Sequence, residues 1–204
     1  FDLRADVPDY AAWLGAHRQD TEPYLEYRQI VQVLAWQQGG THWVFKAPRH
    51  LLSLATLIEV FPEAKIVQTH RNPEEVIPSI CSLGEISRGI FTANPDKAAI
   101  GRFALDRLGG GMTKAMAVRE DDFSERYVDI DYRTLVADPI ASVRKIYETH
   151  GYAYSKVFEE TMKEWLNSNR QHKHGKHHYQ LEDYDLTRSE VNECFADYRK
   201  RFAV

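Results

Sequence analysis

A buried strand followed directly by a proline-started helix limits most strongly which folds this chain can adopt. Residues 65–70 (KIVQTH) have the composition of a buried strand, and Pro73 stands where a helix would begin. The helix has an apolar side made of residues at helical spacing, namely Val76, Ile77 and Ile80. Arg71 therefore lies at the carboxyl end of a strand, which is where open α/β sheets bind their ligands.

Two further strands are predicted on either side of this unit. Residues 42–46 form a short apolar run that a proline ends, and residues 126–131 alternate apolar and polar side chains. A helix over 49–60 joins the first two strands, so the order strand, helix, strand, helix predicts parallel pairing with right-handed crossovers. Gly109–Gly111 predict a break or a kink within the helix over 96–118. The remaining helices are predicted over 8–16, from Thr21 to Gly39, over 96–118, over 139–150, over 156–168 and after the capping box Thr187-x-x-Glu190.

Composition predicts a single soluble α/β domain, residues 1–204, without a nucleic-acid or membrane partner. The net charge of −4 argues against a general nucleic-acid binder. Cys81 and Cys194 are too few for a disulfide framework or a metal site, which favours a reducing, cytoplasmic location. No apolar run approaches about 18 residues, so no membrane span is expected. The chain opens with Phe1 rather than Met, which predicts that an N-terminal part is missing.

Arg71 and Ser79 form the first candidate site. Ser79 follows Arg71 by eight residues, about two helical turns. A guanidinium fork together with a hydroxyl group can clamp a phosphate. The alternative is an arginine that caps a sheet edge and a serine packed inside a helix.

Lys46, His50 and Tyr132 are candidates at the ends of the other two predicted strands. Lys46 offers a cation that can stabilise a leaving group, and His50 offers a base with a pKa near neutrality. Tyr132 can line a pocket for a nucleotide base. The alternatives are a lysine that snorkels at a strand end, a histidine that caps the next helix and a core tyrosine.

A basic loop over 170–178 is the last candidate. It holds three permanent cations and four histidines in nine residues. Such a loop can fold over a bound polyanion, with Gly175 allowing a close backbone approach beside Lys173 and Lys176. A zinc site and a merely solvated loop are the alternatives, and no cysteine pair supports the zinc site.

These segments, in this order, resemble the sulfotransferases that use 3′-phosphoadenosine 5′-phosphosulfate, in particular the broad bacterial branch of that family. The resemblance runs from about residue 20 to residue 203. It is carried by WVFKAPRHL (43–51), FPEAKIV (61–67), HRNP (70–73) with Ser79, YRTLVADP (132–139) and the basic segment before Tyr179.

The resemblance implies a three-layer, P-loop-like open parallel sheet flanked by helices, and a role for each candidate. Arg71 and Ser79 would bind the 3′-phosphate of the donor, and Tyr132 would lie near its adenine. The loop with Lys173, Gly175 and Lys176 would close on the same phosphate. Lys46 and His50 would face the sulfuryl group, without a metal. In cytosolic members the lysine and the histidine lie two residues apart, whereas here they lie four apart.

One departure from the family is an absence. The family begins with a strand and a loop rich in Gly, Ser and Thr that bind the 5′-phosphosulfate, and these 204 residues contain no such loop. We therefore expect the first strand and its loop to be missing. The acceptor would be a hydroxyl group of a small molecule, and residues of the 84–118 region could contact it or belong to the core: Phe91, Phe103, Met112 and Met116. Two other functions stay open, a catalytically silent nucleotide-binding protein of this fold and another phosphate-handling transferase.

Overall fold

The structure is a computed structural model that describes residues 5–17, 21–40, 42–122, 125–169 and 178–204. Two parallel strands and a set of helices make up the described fold. The elements are α1 (Pro8–His17), α2 (Thr21–Gln38), a 3₁₀ turn (Pro48–Ser53), α3 (Leu54–Val60), β1 (Ile66–His70), α4 (Pro73–Arg88), α5 (Lys97–Asp121), β2 (Tyr127–Asp131), α6 (Tyr132–Ala137), α7 (Pro139–Thr149), α8 (Lys156–Ser168), a second 3₁₀ turn (Leu181–Tyr184), α9 (Arg188–Cys194) and α10 (Ala196–Phe202). The α/β class is confirmed, because helices α4 and α5 connect two strands that run in the same direction.

The register of β1 and β2 brings their carboxyl ends together. Ile66 is opposite Tyr127, and His70 is opposite Asp131. Arg71 and Tyr132 follow those two last residues. They therefore emerge side by side at one edge of the sheet.

Side-chain caps fix where the helices begin. Asn72 accepts a hydrogen bond from the backbone N–H of Glu74 at 3.1 Å, with Pro73 in the first turn. Asp131 caps α6 in the same way, by accepting from the Arg133 N–H at 2.7 Å. The predicted capping box at Thr187 is present and starts α9.

The hydrophobic core lies between α4, α5 and the C-terminal helices. Ile77, Ile100 and Val191 are fully buried members of it, one each from α4, α5 and α9. Met116 belongs to this core and Met112 packs against it. Phe91, by contrast, is 75% exposed. In the parts of the chain that the structure describes, no helix is both long and apolar enough to cross a bilayer.

The strand predicted over residues 42–46 is wrong. Residues 42–47 have no regular secondary structure, and Val44 is 83% exposed. A strand needs a neighbour to satisfy its N–H and C=O groups, and the sheet formed by the described residues contains only β1 and β2. The rings of this segment contact each other and α2 instead: Trp43 stacks on Phe45, and Phe45 meets the Tyr27 ring edge to face.

The break predicted at Gly109–Gly111 is also wrong, because α5 continues through it from Lys97 to Asp121. Two of these glycines permit close packing. A Cβ atom at Gly109 would collide with the Cys194 sulfur, and one at Gly111 would collide with the Leu52 side chain. The glycines therefore let α9 and the first 3₁₀ turn approach the α5 backbone, and this packing outweighs their low helix propensity.

Candidate functional site

A cation and an aromatic ring meet at the carboxyl edge of the sheet. The Arg71 guanidinium carbon lies 4.5 Å from the centre of the Tyr132 ring. A guanidinium over a ring face at this distance is a cation–π contact. The strand register positions both residues, so the two predicted site residues that follow β1 and β2 are brought together.

An ion pair joins the Arg71 side chain to Glu75 of α4. Its Nε donates to Glu75 Oε2 at 2.8 Å, and the Arg71 and Glu75 side chains are 34% and 56% exposed. Ser79 follows Glu75 by one helical turn, so the two lie on the same side of α4, and Ser79 is half-buried. A guanidinium has five N–H donors. The Glu75 contact uses one of them.

Arg71 opens onto a cleft of about 380 Å³ between the start of α4 and the segment before α9. This volume lies within the range of about 300–1,000 Å³ that is usual for small-ligand sites. The cleft is lined by Arg71, Asn72, Glu74, Glu75, Pro78, Tyr179, Gln180, Leu181, Glu182 and Arg188. An anion that enters the cleft meets two arginines, but it also competes with carboxylates for them.

Glu74 is the carboxylate most tightly held in this cleft. Its Oε1 accepts from Arg199 Nη1 at 3.1 Å, and Arg188 Nε lies 3.9 Å from Oε2. Burial alone would raise the pKa of Glu74, but the hydrogen bonds from Asn192 and Arg199 and the nearby Arg188 charge lower it below its ordinary value. Glu74 is thus a charged residue that fastens the start of α4 to the C-terminal helices.

A buried polar network lies directly behind Arg71. His70 is 3% exposed, and its Nε2 lies 2.7 Å from Asp129 Oδ1 while its Nδ1 lies 3.2 Å from the Tyr198 hydroxyl. Arg119 donates to both oxygens of Asp129 at 2.9 and 2.8 Å. Burial would raise the pKa of Asp129, but the hydrogen bonds from His70 and Arg119 hold it well below its ordinary value. The carboxylate is therefore a permanent anion at neutral pH.

Lys46 and His50 lie in a different setting from the one predicted. Lys46 is exposed within the irregular segment 42–47 rather than at a strand end. His50 is half-buried, and its Nδ1 lies 2.8 Å from the Tyr24 hydroxyl. Its ring also contacts the Tyr27 ring at 5.9 Å. Burial lowers the pKa of His50, which favours the neutral imidazole that can accept a proton.

The predicted phosphate-closing residues Lys173, Gly175 and Lys176 lie outside the described residues. The segment that follows them is described, and Tyr179 and Gln180 line the same cleft as Arg71.

Sequence reasoning missed the network behind Arg71. The signal was present in the strand pattern, because Gln68, His70 and Asp129 share one face of the sheet and are polar where an apolar residue would be expected. No local pattern indicated their partners, because Arg119 lies on a helix, α5, and Tyr198 lies 128 residues after His70.

The chain has matches among protein families and known proteins. The model of the sulfotransferase family matches residues 2–156. A curated relative, omega-hydroxy-beta-dihydromenaquinone-9 sulfotransferase Stf3 of Mycobacterium bovis, is 24% identical over 169 residues, which are 78% of this chain and 40% of the relative. The protein of the same name from Mycobacterium tuberculosis matches equally.

Two solved structures share the fold. Sulfotransferase STF9 from Mycobacterium avium superposes with a TM-score of 0.91 at 27% identity, covering 100% of this chain and 52% of that one. Sulfotransferase STF1 from Mycobacterium tuberculosis superposes with a TM-score of 0.79 at 34% identity, covering 94% of this chain and 49% of that one. The chain spans about half the length of these solved relatives.

Proposed function

The chain belongs to the sulfotransferase family, and we propose that it transfers a sulfuryl group from 3′-phosphoadenosine 5′-phosphosulfate to a hydroxyl group of a small molecule. The observation that carries the donor assignment is the Arg71 guanidinium over the Tyr132 ring, and Arg71 also lines a cleft whose volume suits a small ligand. A fixed cation beside an aromatic ring suits a ligand that joins a phosphate to a purine.

In this proposal Arg71 and Ser79 bind the 3′-phosphate, and Tyr132 lies against the adenine. Lys173, Gly175 and Lys176 close on the same phosphate from the loop before Tyr179. The position of Tyr179 in the Arg71 cleft supports this, because the loop leads directly into that residue.

The transfer step needs an in-line arrangement, a deprotonated acceptor and a stabilised leaving group. The acceptor oxygen forms a bond to sulfur while the bond from sulfur to the bridging 5′-phosphate oxygen breaks, and the electron pair of that bond stays on the phosphate. His50 takes the proton of the acceptor hydroxyl, and Lys46 offsets the charge on the leaving oxygen. The lowered pKa of His50 supports its role as a base, since the neutral ring is the form that accepts.

The 5′ side of the donor requires further groups, which we propose come from a strand and a loop outside these 204 residues. The sheet edge supports this: among the described residues β1 pairs only with β2, so its other backbone edge can accept a further strand. In this proposal the described fold and the additional strand and loop form a single sulfotransferase domain. Its two cysteines are free thiols, which suits the reducing cytoplasm.

An apolar alcohol is the acceptor class that we propose. The side of α4 beyond Ser79 has an exposed apolar stripe that continues past the helix end, formed by Leu83, Ile86, Ile90 and Phe91. The curated mycobacterial relatives are named for an omega-hydroxy menaquinone derivative. Comparing sulfuryl transfer to a long-chain primary alcohol and to a short polar alcohol would test the class, and a preference for the polar alcohol would contradict it.

Binding of two nucleotides tests the donor assignment. Calorimetry should show that adenosine 3′,5′-bisphosphate binds at least about tenfold more tightly than adenosine 5′-phosphate, because charge-assisted hydrogen bonds to an added phosphate contribute about 1.5–3 kcal/mol. Equal affinities would contradict the assignment of Arg71 and Ser79.

A further inference from the structure

We propose that Tyr198 and His70 position Arg71, so that the C-terminal helix α10 completes the 3′-phosphate site without touching the ligand. The inference rests on the proposed function, since it names residues that would govern the same phosphate contact. Three separate contacts carry it: the anchoring of the His70 ring, the Tyr198 hydroxyl on that ring, and an ion pair in the helix turn that follows Arg71.

The first contact fixes the residue before Arg71. Both ring nitrogens of His70 are occupied, Nε2 by Asp129 at 2.7 Å and Nδ1 by the Tyr198 hydroxyl at 3.2 Å. The ring also stacks on Phe202, with centroids 3.9 Å apart and planes 18° apart. A buried side chain held at two atoms and one face keeps its backbone in place.

The second contact is the one that the Tyr198 hydroxyl makes to this ring. Tyr198 is 4% exposed, and burial raises its pKa to about 12, so the hydroxyl keeps its proton. The phenol O–H can donate to His70 Nδ1 while His70 Nε2–H donates to Asp129, an arrangement that gives each ring nitrogen one partner. The hydroxyl of Tyr198 therefore joins α10 to the fixed ring of the residue before Arg71.

The third contact fixes the helix that follows Arg71. Arg199, the next residue of α10, donates to Glu74 in the first turn of α4 at 3.1 Å. His70 and Glu74 lie on either side of Arg71 and are fastened to neighbouring residues of one helix. The turn at Arg71 is consequently held as a unit, although α10 lies more than a hundred residues further along the chain.

This arrangement matters for binding because arginine loses much side-chain freedom when it is fixed by a ligand. When the backbone of Arg71 is already fixed in the free protein, less conformational entropy is lost on binding. The affinity is therefore higher without a new contact. The gain applies to the phosphate that Arg71 grips. It does not apply to parts of the nucleotide that other residues hold.

Tyr198→Phe tests the inference by deleting one hydroxyl group and leaving the ring in the core. The readout is the ratio of the affinities for adenosine 3′,5′-bisphosphate and adenosine 5′-phosphate, measured by calorimetry. We expect that ratio to fall about three- to tenfold, the loss that one buried hydrogen bond produces. The affinity for adenosine 5′-phosphate should change less than about twofold.

Tyr184→Phe is the matched control. Tyr184 is equally buried, at 2% exposure, and its hydroxyl donates to Glu85 in the distal half of α4. Removing the Tyr184 hydroxyl should lower the thermal midpoint about as much as Tyr198→Phe does. It should leave the ratio of the two nucleotide affinities unchanged. If Tyr184→Phe lowers the ratio as much as Tyr198→Phe does, general loosening explains the effect and the positioning role is wrong.

Two other outcomes separate this inference from the donor assignment. If the ratio of the two nucleotide affinities is well above one in the wild type and is unchanged in Tyr198→Phe, only the positioning role is wrong. A wild-type ratio of one would overturn the donor assignment and this inference with it. Should Tyr198→Phe lose its cooperative thermal transition, His70→Gln replaces it, because the Gln amide N–H can take the place of Nε2 toward Asp129 while no polar atom takes the place of Nδ1 beside Tyr198. A ratio unchanged in that variant would equally reject the positioning role.

Discussion

The Arg71 guanidinium carbon lies 4.5 Å from the centre of the Tyr132 ring, and each residue directly follows one of the two paired strands. Parallel pairing in register is what makes them neighbours, since His70 is opposite Asp131. The site is thus a property of the sheet edge rather than of either loop alone.

Replacing Arg71 with Lys should weaken binding of adenosine 3′,5′-bisphosphate at least about tenfold. Lysine keeps the charge but loses the planar fork that can hold a phosphate at two oxygens while lying on Tyr132. Calorimetry on both proteins measures the change. The matched control is Arg102→Lys, because Arg102 pairs with Asp185 and does not line the Arg71 cleft. Undiminished affinity in Arg71→Lys would show that the fork is not used.

Replacing Glu75 with Gln should strengthen binding of the same nucleotide, by about two- to fivefold, the scale of an exposed ion pair of up to about 1 kcal/mol. Glu75 competes with an incoming phosphate for Arg71 and also repels it. The pair is exposed, so thermal stability should barely change. Glu160→Gln, which breaks an exposed pair with Lys163, is the control and should leave affinity unchanged. Weaker binding in Glu75→Gln would mean that the carboxylate orients the guanidinium instead of competing for it.

Alanine at the three consecutive glycines of α5 should have opposite effects on stability. Gly109→Ala and Gly111→Ala should each lower the free energy of unfolding by about 1–3 kcal/mol, because the new methyl group collides with Cys194 or Leu52. Gly110→Ala meets nothing within 4 Å and should raise it by up to about 1 kcal/mol, through higher helix propensity. Urea denaturation measures all three. Equal effects at the three positions would contradict the packing described here.

The Asp129 network should make stability depend on pH on the acid side. Its pKa in the folded protein is lower than in the unfolded chain, where a value near 3.8 applies, so the folded state favours the charged form. The stabilisation that the Asp129 carboxylate gives the folded state is complete at pH values above the unfolded pKa. It is lost as the pH falls toward the folded pKa. Asp129→Asn should therefore be less stable than the wild type at pH 6, and the difference should shrink as the pH falls below about 4. Denaturant unfolding at several pH values checks this. A constant difference would show that Asp129 does not titrate differently on folding.

The sequence predicted the parts of the fold that depend on local patterns. Strands near 66–70 and 127–131, the start of α4 at Pro73 and the Thr187 capping box were all correctly predicted, because each has its signal within a few residues. Parallel pairing was predicted from element order, whereas the meeting of Arg71 and Tyr132 depends on the observed pairing and register of β1 with β2.

The errors have one physical origin, which is that neighbours distant in the chain decide the outcome. Residues 42–46 have a strand pattern, but the described part of the sheet offers them no partner. The sequence pattern at Gly109 and Gly111 is typical of a helix break. In the folded protein, however, α9 and Leu52 pack against these glycines and the helix continues. The roles of Lys46 and His50 remain predictions, as do those of Ser79, Lys173, Gly175 and Lys176. The Tyr198 contact to His70 joins residues 128 apart, a separation that no local pattern can indicate.

The contacts of α10 with both sides of Arg71 have a consequence for biosynthesis. A ribosome exposes β1, α4 and β2 well before residues 196–202 have been made. During that interval the nascent chain has its strands and its arginine but lacks the helix that fixes the turn between them. The phosphate site is then among the last features to mature, because the turn at Arg71 gains its contacts at His70 and Glu74 only after Tyr198 and Arg199 have been made.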